Sequence, residues 1–345
     1  SASPSASPAP SPTPARPSPT PTARPEPALP GITFSFFPDA TSLAAAYRAG
    51  LLDAASGLPP ALARELATLP GSRLLSYPRT TLTAIALNLR PGHVELRVPR
   101  VRRALLAAID RKTLIDTVLA GTGTRADSPI PPSSWAFDPK ASKPVRYDLK
   151  AAAAGLKASG WKRTAAGWVA PGAKKAYRIE LIAPDAASNP SAMAIAEAVA
   201  DAWRAFGFTV DVTGLPPAAF VGERLRTGDF QAAAVDVTIG LDPDLYPLFA
   251  STQVVEGGSN LSGIQDVALD HDLKAARAPG TLDERKRAFA TLQARLADRQ
   301  YVLPIVFRDE LVVLAERVIG PVVRELGDSS DRFWDVLTWR LADAR

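Results

Sequence analysis

From Ile32 onward the apolar residues recur with a period of two in some stretches and about 3.6 in others, which predicts alternating strands and helices. Ile32, Phe34 and Phe36 alternate with small or polar positions as a half-buried strand does, and Pro38-Asp39 opens a helix over 43–48 that stops at Gly50. A short helix over 60–69 ends at Pro70-Gly71, and 74–77 and 82–89 read as strands. Two consecutive helices are expected over 98–109 and 113–120, with Asp110 placed to cap the second and Gly121 to end it. A proline-rich loop over 128–134 leads into Trp135, a helix opened by Asp148 stops at Gly160, and 161–170 around Gly167 has the form of a hairpin.

The stretch 177–212 is the most regular unit. Tyr177, Ile179 and Leu181 alternate, Ile195, Val199, Trp203 and Phe206 share one helical face, and Phe208, Val210 and Val212 alternate again. That is a strand-helix-strand crossover, right-handed by default. A further strand is expected over 230–238, then a loop at Asp242-Pro243-Asp244, a turn at 257–260, helices over 267–276 and 282–296, and strands over 303–306 and 311–315. The tail 333–341 is expected to pack Trp334 and Trp339. The class is therefore α/β, and 345 residues with 46% hydrophobic side chains are enough for two lobes.

Composition changes the picture at the start of the chain. Residues 1–30 hold only Ser, Ala, Pro, Thr, Arg, Glu and a single Leu, with proline at every second to fourth position. Such a tract buries too little apolar surface to offset its ordering entropy, and reads as an extended, partly polyproline stalk. A stalk suits a body tethered outside a membrane; an interdomain linker is the plainer alternative.

The absence of cysteine excludes disulfides, thiol nucleophiles and cysteine-bound zinc, and His93 and His271 are too few for a histidine cluster. The net charge of +5 raises the question of nucleic acid. The densest basic cluster, Arg97, Arg100, Arg102, Arg103, Arg111 and Lys112, flanks Val98, Val101, Leu105 and Ile109 at helical spacing and reads as the wet face of a core helix. No aromatic residues are interleaved there to stack on bases, so no nucleic acid is expected. Gly121-Thr122-Gly123-Thr124 lacks a third glycine and a preceding strand, and reads as a helix stop. No G-x-S-x-G elbow is present, and both histidines read as solvated residues, one in a Pro-Gly turn and one on a surface helix. The chain is not expected to be an enzyme; the competing class is a secreted hydrolase with paired carboxylates, which leave no sequence signature.

Five passages, in order, resemble the family 5 bacterial extracellular solute-binding proteins, the dipeptide-, oligopeptide- and nickel-binding subunits of ABC importers. They are Phe36-Phe37-Pro38-Asp39 followed by 48–53; Leu87-Asn88 with 98–111 (VPRVRRALLAAIDR); 127–132 through Trp135; 147–161, from Tyr-Asp to Gly-Trp; and Asp242-Pro243-Asp244 with Gly258-Ser259-Asn260 and Ser262-Gly263. The resemblance implies a class II periplasmic-binding-protein fold, two lobes joined by hinge strands, with the ligand cleft between them. It places 31–88 in a partial lobe I, 89–304 in lobe II and 305–345 in the hinge return and remainder of lobe I. The family carries a long segment ahead of the strand expected at Ile32, where this chain has the stalk, so the first lobe is expected to be incomplete. The implied role is capture of a peptide or similar polar solute and its delivery to ABC permease subunits, as an extracytoplasmic monomer lipid-anchored through a cysteine preceding Ser1. Two alternatives stand beside it: an interaction module without autonomous ligand binding, and the hydrolase. No cofactor is expected.

Candidate ligand contacts follow from residue type and from the resemblance. Trp135 on its proline loop is suited to stacking against a ligand or packing on its own lobe. Asp242 and Asp244 present carboxylates to an amine, or form an ordinary Asp-Pro turn. Gly258, Ser259 and Asn260 offer backbone and amide groups, or a plain turn. The resemblance puts an aromatic residue and an amine-binding acid just before the Asp-Pro; here Asp236 stands at the aromatic position and Ile239 at the acidic one, so the substitute acid is expected among Asp242, Asp244 and a shifted Asp236.

Overall fold

The structure, a computed structural model, describes residues 28–342; the stalk expected over 1–30 therefore falls, up to residue 27, outside the described residues. Asp39 caps α1 (Ala40–Arg48), its carboxylate accepting the Ser42 N–H at 2.7 Å. β1 (Ala54–Ser56) and α2 (Pro60–Leu66) follow, and then β2 (Ser72–Leu87), the longest strand. α3 (Pro99–Ala107) and α4 (Arg111–Val118) come next, the latter capped by Asp110, then a short β3 (Thr124–Arg125) and α5 (Leu149–Ala158), capped by Asp148. The hairpin β4 (Lys162–Thr164) and β5 (Gly167–Val169) leads into β6 (Arg178–Pro184), α6 (Pro190–Phe206) and β7 (Thr209–Leu215), the expected crossover. After a π-helical segment, Ala218–Leu225, come β8 (Ala232–Thr238), α7 (Tyr246–Phe249), α8 (Val267–Arg277), α9 (Leu282–Arg299), β9 (Val302–Ala315) and the small pair β10 (Val318–Ile319) and β11 (Arg340–Leu341).

The main sheet has the order β1-β9-β2-β8-β6-β7, with β3 also on β9. β6 runs parallel to both β7 and β8, whereas β2 is antiparallel to β8 and β9. One large core forms where α3, α4, α5, α6, α8 and α9 cover this sheet. In it Ile195, Val199 and Trp203 of α6 are fully buried, each stabilising by about 1.5–3 kcal/mol. Two smaller cores lie on opposite faces of the far ends of β2 and β9. Leu311 and Val313 pack against α1 and α2, while the alternate residues Val312 and Leu314 meet Leu75, Tyr77 and Leu326.

Four expectations are corrected. The alternation at 32–36 does not form a strand: Phe36 is 94% exposed, and no neighbouring strand takes up its backbone groups. The pieces read at 74–77 and 82–89 are one strand, and so are those at 303–306 and 311–315. Each carries a polar interruption that resembles a loop in sequence; Asp309 and Glu310 of β9 stay paired, whereas 79–81 of β2 bulge and find partners outside β9. The tail is mostly short 3-10 turns, with Trp339 buried and Trp334 half exposed. Finally, Arg102 and Arg111 are not on a wet face. Arg102 is 2% exposed and donates to the carbonyls of Leu96, Arg299 and Gln300, tying α3 to the end of α9. Arg111 donates to the carbonyls of Ala126, Pro304 and Val145 and pairs with Asp127 at 3.0 Å. Burial pushes both guanidinium pKa values down, that of Arg102 to about 10.

Candidate functional site

The interruptions in the two long strands lie side by side. Pro78 pairs with Asp309 and Leu82 with Phe307, so Arg79, Thr80 and Thr81 stand against the single residue Arg308. Pro78 has no N–H for the ladder, and the spare backbone groups turn elsewhere: Leu326 N–H donates to Pro78 O (2.8 Å), Thr80 N–H to Leu326 O (3.1 Å) and Ile239 N–H to Thr80 O (3.2 Å). A bulge of this kind aims side chains out of the sheet.

What they meet is a cleft of about 490 Å³. Its floor is Arg79, Thr81, Arg308, Asp309 and Glu310; one wall is the turn before α2, Gly57 to Pro59, and the other is Thr122 with Ser191 in the first turn of α6. The cleft thus lies between the large core and the smaller cores, on the strands that join them.

Its charges are held by each other. Glu310 receives Arg79 on one carboxylate oxygen (3.2 Å) and Arg332 on the other. Asp236, on β8, accepts from Thr83 Oγ1 (2.5 Å), from Asn189 Nδ2 at the cap of α6 (2.8 Å) and from Arg308 Nη2. Asp309 accepts from Ser76 Oγ at 2.5 Å. Arg79 Nε and Arg308 Nε are buried with no acceptor among the described residues. An unmet buried donor costs about 1–3 kcal/mol, and neither of these has surface open to the cleft through which a partner could offset it. Among the described residues no cluster of three His, Asp or Glu side chains is arranged to hold a metal.

Of the residues singled out in the sequence, the structure brings Asp236 to this site and not the others. Trp135 stands edge-on to Phe289 at 5.4 Å, with Arg285 over its ring at 4.6 Å, and Arg285 also pairs with Asp242 at 2.8 Å. Asp244 pairs with Arg277 at 3.1 Å. Asn260, 2% exposed, spends its amide on the carbonyls of Phe249, Ala250 and Ile264 and on the Ile264 N–H, which organises its own loop. Gly258 lies in the same loop, where a Cβ would fall 2.2 Å from Gln253 O, and Ser259 continues the turn. His93 and His271 do not line the cleft.

The residues that sequence reasoning missed are Arg79, Ser191, Arg308, Asp309, Glu310 and Arg332. The available signal was charge inside apolar runs: Arg308-Asp309-Glu310 splits an otherwise hydrophobic strand, and Pro78-Arg79 does the same in its partner.

Comparison with known proteins agrees with this architecture. A profile described as "Bacterial extracellular solute-binding proteins, family 5 Middle" matches residues 23–256. The protein XP55 of Streptomyces lividans is 31% identical over 86% of this chain and 53% of its own length, and the heme-binding protein A of Haemophilus influenzae is 26% identical over 88% and 53%. The chain therefore spans about half the length of these curated relatives. The solved oligopeptide-binding protein AppA of Bacillus subtilis, in complex with a nonapeptide, superposes with a TM-score of 0.73 at 22% identity, covering 89% of this chain and 59% of that one, which shows a shared fold. With the profile matching more than half of its residues, the chain belongs to the bacterial extracellular solute-binding proteins, family 5.

Proposed function

We propose that this chain forms the solute-contacting part of the substrate-binding component of an ABC importer. It captures a peptide or similarly polar solute in the cleft over the hinge strands. The observation that carries this reading is the pair of matched interruptions in β2 and β9, which sets Arg79 and Arg308 at the floor of a 490 Å³ cleft between separate cores. Arg308 and Arg79 are the ligand contacts, with Asp236 fixing the orientation of Arg308 and Ser191 offering a hydroxyl from the α6 terminus. Relatives named for heme and oligopeptide share the family, so the solute is chosen by side chains of this kind and not by the fold. The role is non-catalytic: closure of the cleft around the solute makes the form that permease subunits accept, outside the cytoplasm, from a monomer held by a lipid anchor.

The test is thermal unfolding and calorimetric titration with defined pools of short peptides, hemin and nickel chelates. One class is expected to raise the melting temperature, and Arg308→Gln to weaken its binding at least about tenfold while the fold is retained. If no class shifts the melting temperature, or if the variant binds as tightly as the parent, the reading is wrong.

A further inference from the structure

The basic residues of the chain are unevenly placed. Seven of its ten lysines, together with Arg146 and Arg163, fall within residues 140–175, where Asp148 is the one acid. This surplus exceeds the net +5 of the whole chain, so the remainder is net acidic. Elsewhere arginine greatly outnumbers lysine; in this segment the proportion is reversed.

The fold brings the lysines of α5 and those of the loop at 174–175 close together on the outside of the molecule. Lys150 and Lys157 stand on α5 opposite the buried Ala152 and Leu156, so they point outward. α5 packs along α3, the Cβ position of Gly155 lying 3.6 Å from Arg100 Cγ, and this brings the exposed Arg100 alongside α5. The loop carrying Lys174 and Lys175 folds back onto the end of α5, where Pro171 Cγ is 3.2 Å from the Cβ position of Gly160. Among the described residues Lys143 pairs with Asp298, and the other basic side chains of the segment make no ion pair.

We propose that this face is an electrostatic docking surface for a bilayer rich in anionic phospholipid. Lysine is a compact, strongly hydrated charge on a flexible stem, suited to headgroups that need not be desolvated. It is depleted at protein–protein interfaces, which use buried aromatic and arginine anchors. Between the lysines α5 shows only Ala151, Ala154 and Ala158, a low surface without a groove. Tyr147 and Leu149, 51% and 41% exposed, flank Lys150 as an aromatic and an aliphatic group placed for the headgroup boundary. The cleft is lined by none of these residues, so a docked molecule keeps its cleft free.

The test is co-sedimentation of the 345-residue chain with vesicles of phosphatidylcholine alone and with about 30% phosphatidylglycerol, at low and high salt. Each basic residue near such a surface contributes about fivefold in partition. Binding is expected to the anionic vesicles only, to fall with salt, and to drop at least about tenfold when Lys150, Lys157, Lys162, Lys174 and Lys175 are changed together to Gln. A control with the same charge change elsewhere (Lys112, Lys274, Lys286, Arg64 and Arg287 to Gln) is expected to keep most of the binding. Equal loss in both variants, binding to neutral vesicles, or no binding to anionic vesicles at low salt overturns the proposal. Capture by soluble polyaspartate without capture by vesicles also overturns it, and assigns the face to an acidic polymer.

Discussion

At the residue scale the buried arginines show how one residue type divides between two roles on a single helix pair. Arg103 is exposed, whereas Arg102 and Arg111 replace lost water with carbonyl acceptors from segments far away in sequence. Removing such a side chain leaves several buried acceptors unmet. We therefore expect Arg111→Met to lower the unfolding free energy by about 3 kcal/mol and Arg103→Met to change it by less than about 0.5, read from urea denaturation. Gly258 poses a different constraint. Its φ is not unusual, but a methyl group there would meet the backbone oxygen of Gln253, so Gly258→Ala is expected to cost about 1–3 kcal/mol by the same measurement. Neither constraint is visible in the sequence. The heptapeptide around Arg111 looks like a solvated helix start, because its partners, Ala126, Val145 and Pro304, are contributed by three later segments.

At the scale of elements, what was legible was whatever is decided locally. Asp110 and Asp148 cap their helices as their positions before apolar runs imply, and the 177–212 crossover forms with Ile195, Val199 and Trp203 inward. What failed depended on a neighbour. The alternation at 32–36 lacks a partner strand, while Pro78-Arg79-Thr80-Thr81 stays in a strand because Leu326, Ile239 and β9 take up its backbone groups. The cleft residues went unread for the same reason, since a charged break marks a site only once the two breaks are adjacent. The caps also set an acid response. Backbone N–H donors hold the carboxyls of Asp39, Glu284 and Asp328 below their ordinary range. A depressed folded pKa stabilises fully above the unfolded value, about 4, and that contribution disappears as pH falls through the folded values. The melting temperature is thus expected to be flat from about pH 7 to 5 and to fall below about pH 4. The triple variant D39N/E284Q/D328N is expected to show a smaller acid loss in a melting-temperature series.

At the scale of the whole molecule, the smaller cores add only a short strand each, β1 to one and β10 to the other, and share their two long strands with the large core. Their packing surface is the far end of β2 and β9, whose near ends run through the large core. Unfolding either end therefore frays the same two strands. A single cooperative transition is expected, with fluorescence and far-ultraviolet circular dichroism changing at one urea concentration; two separated midpoints would contradict the shared-strand architecture.

The paired breaks in these strands act like a crease across a two-ply ribbon. Above the crease 72–78 stand opposite 309–315, and below it 82–86 stand opposite 302–307 with a second irregularity between Thr83 and Ala84. Arg79 and Arg308 sit on the crease itself. Each is tied to a carboxylate of a strand, Arg79 to Glu310 of β9 and Arg308 to Asp236 of β8, so the crease is cross-stitched by charge to the sheet on either side of it.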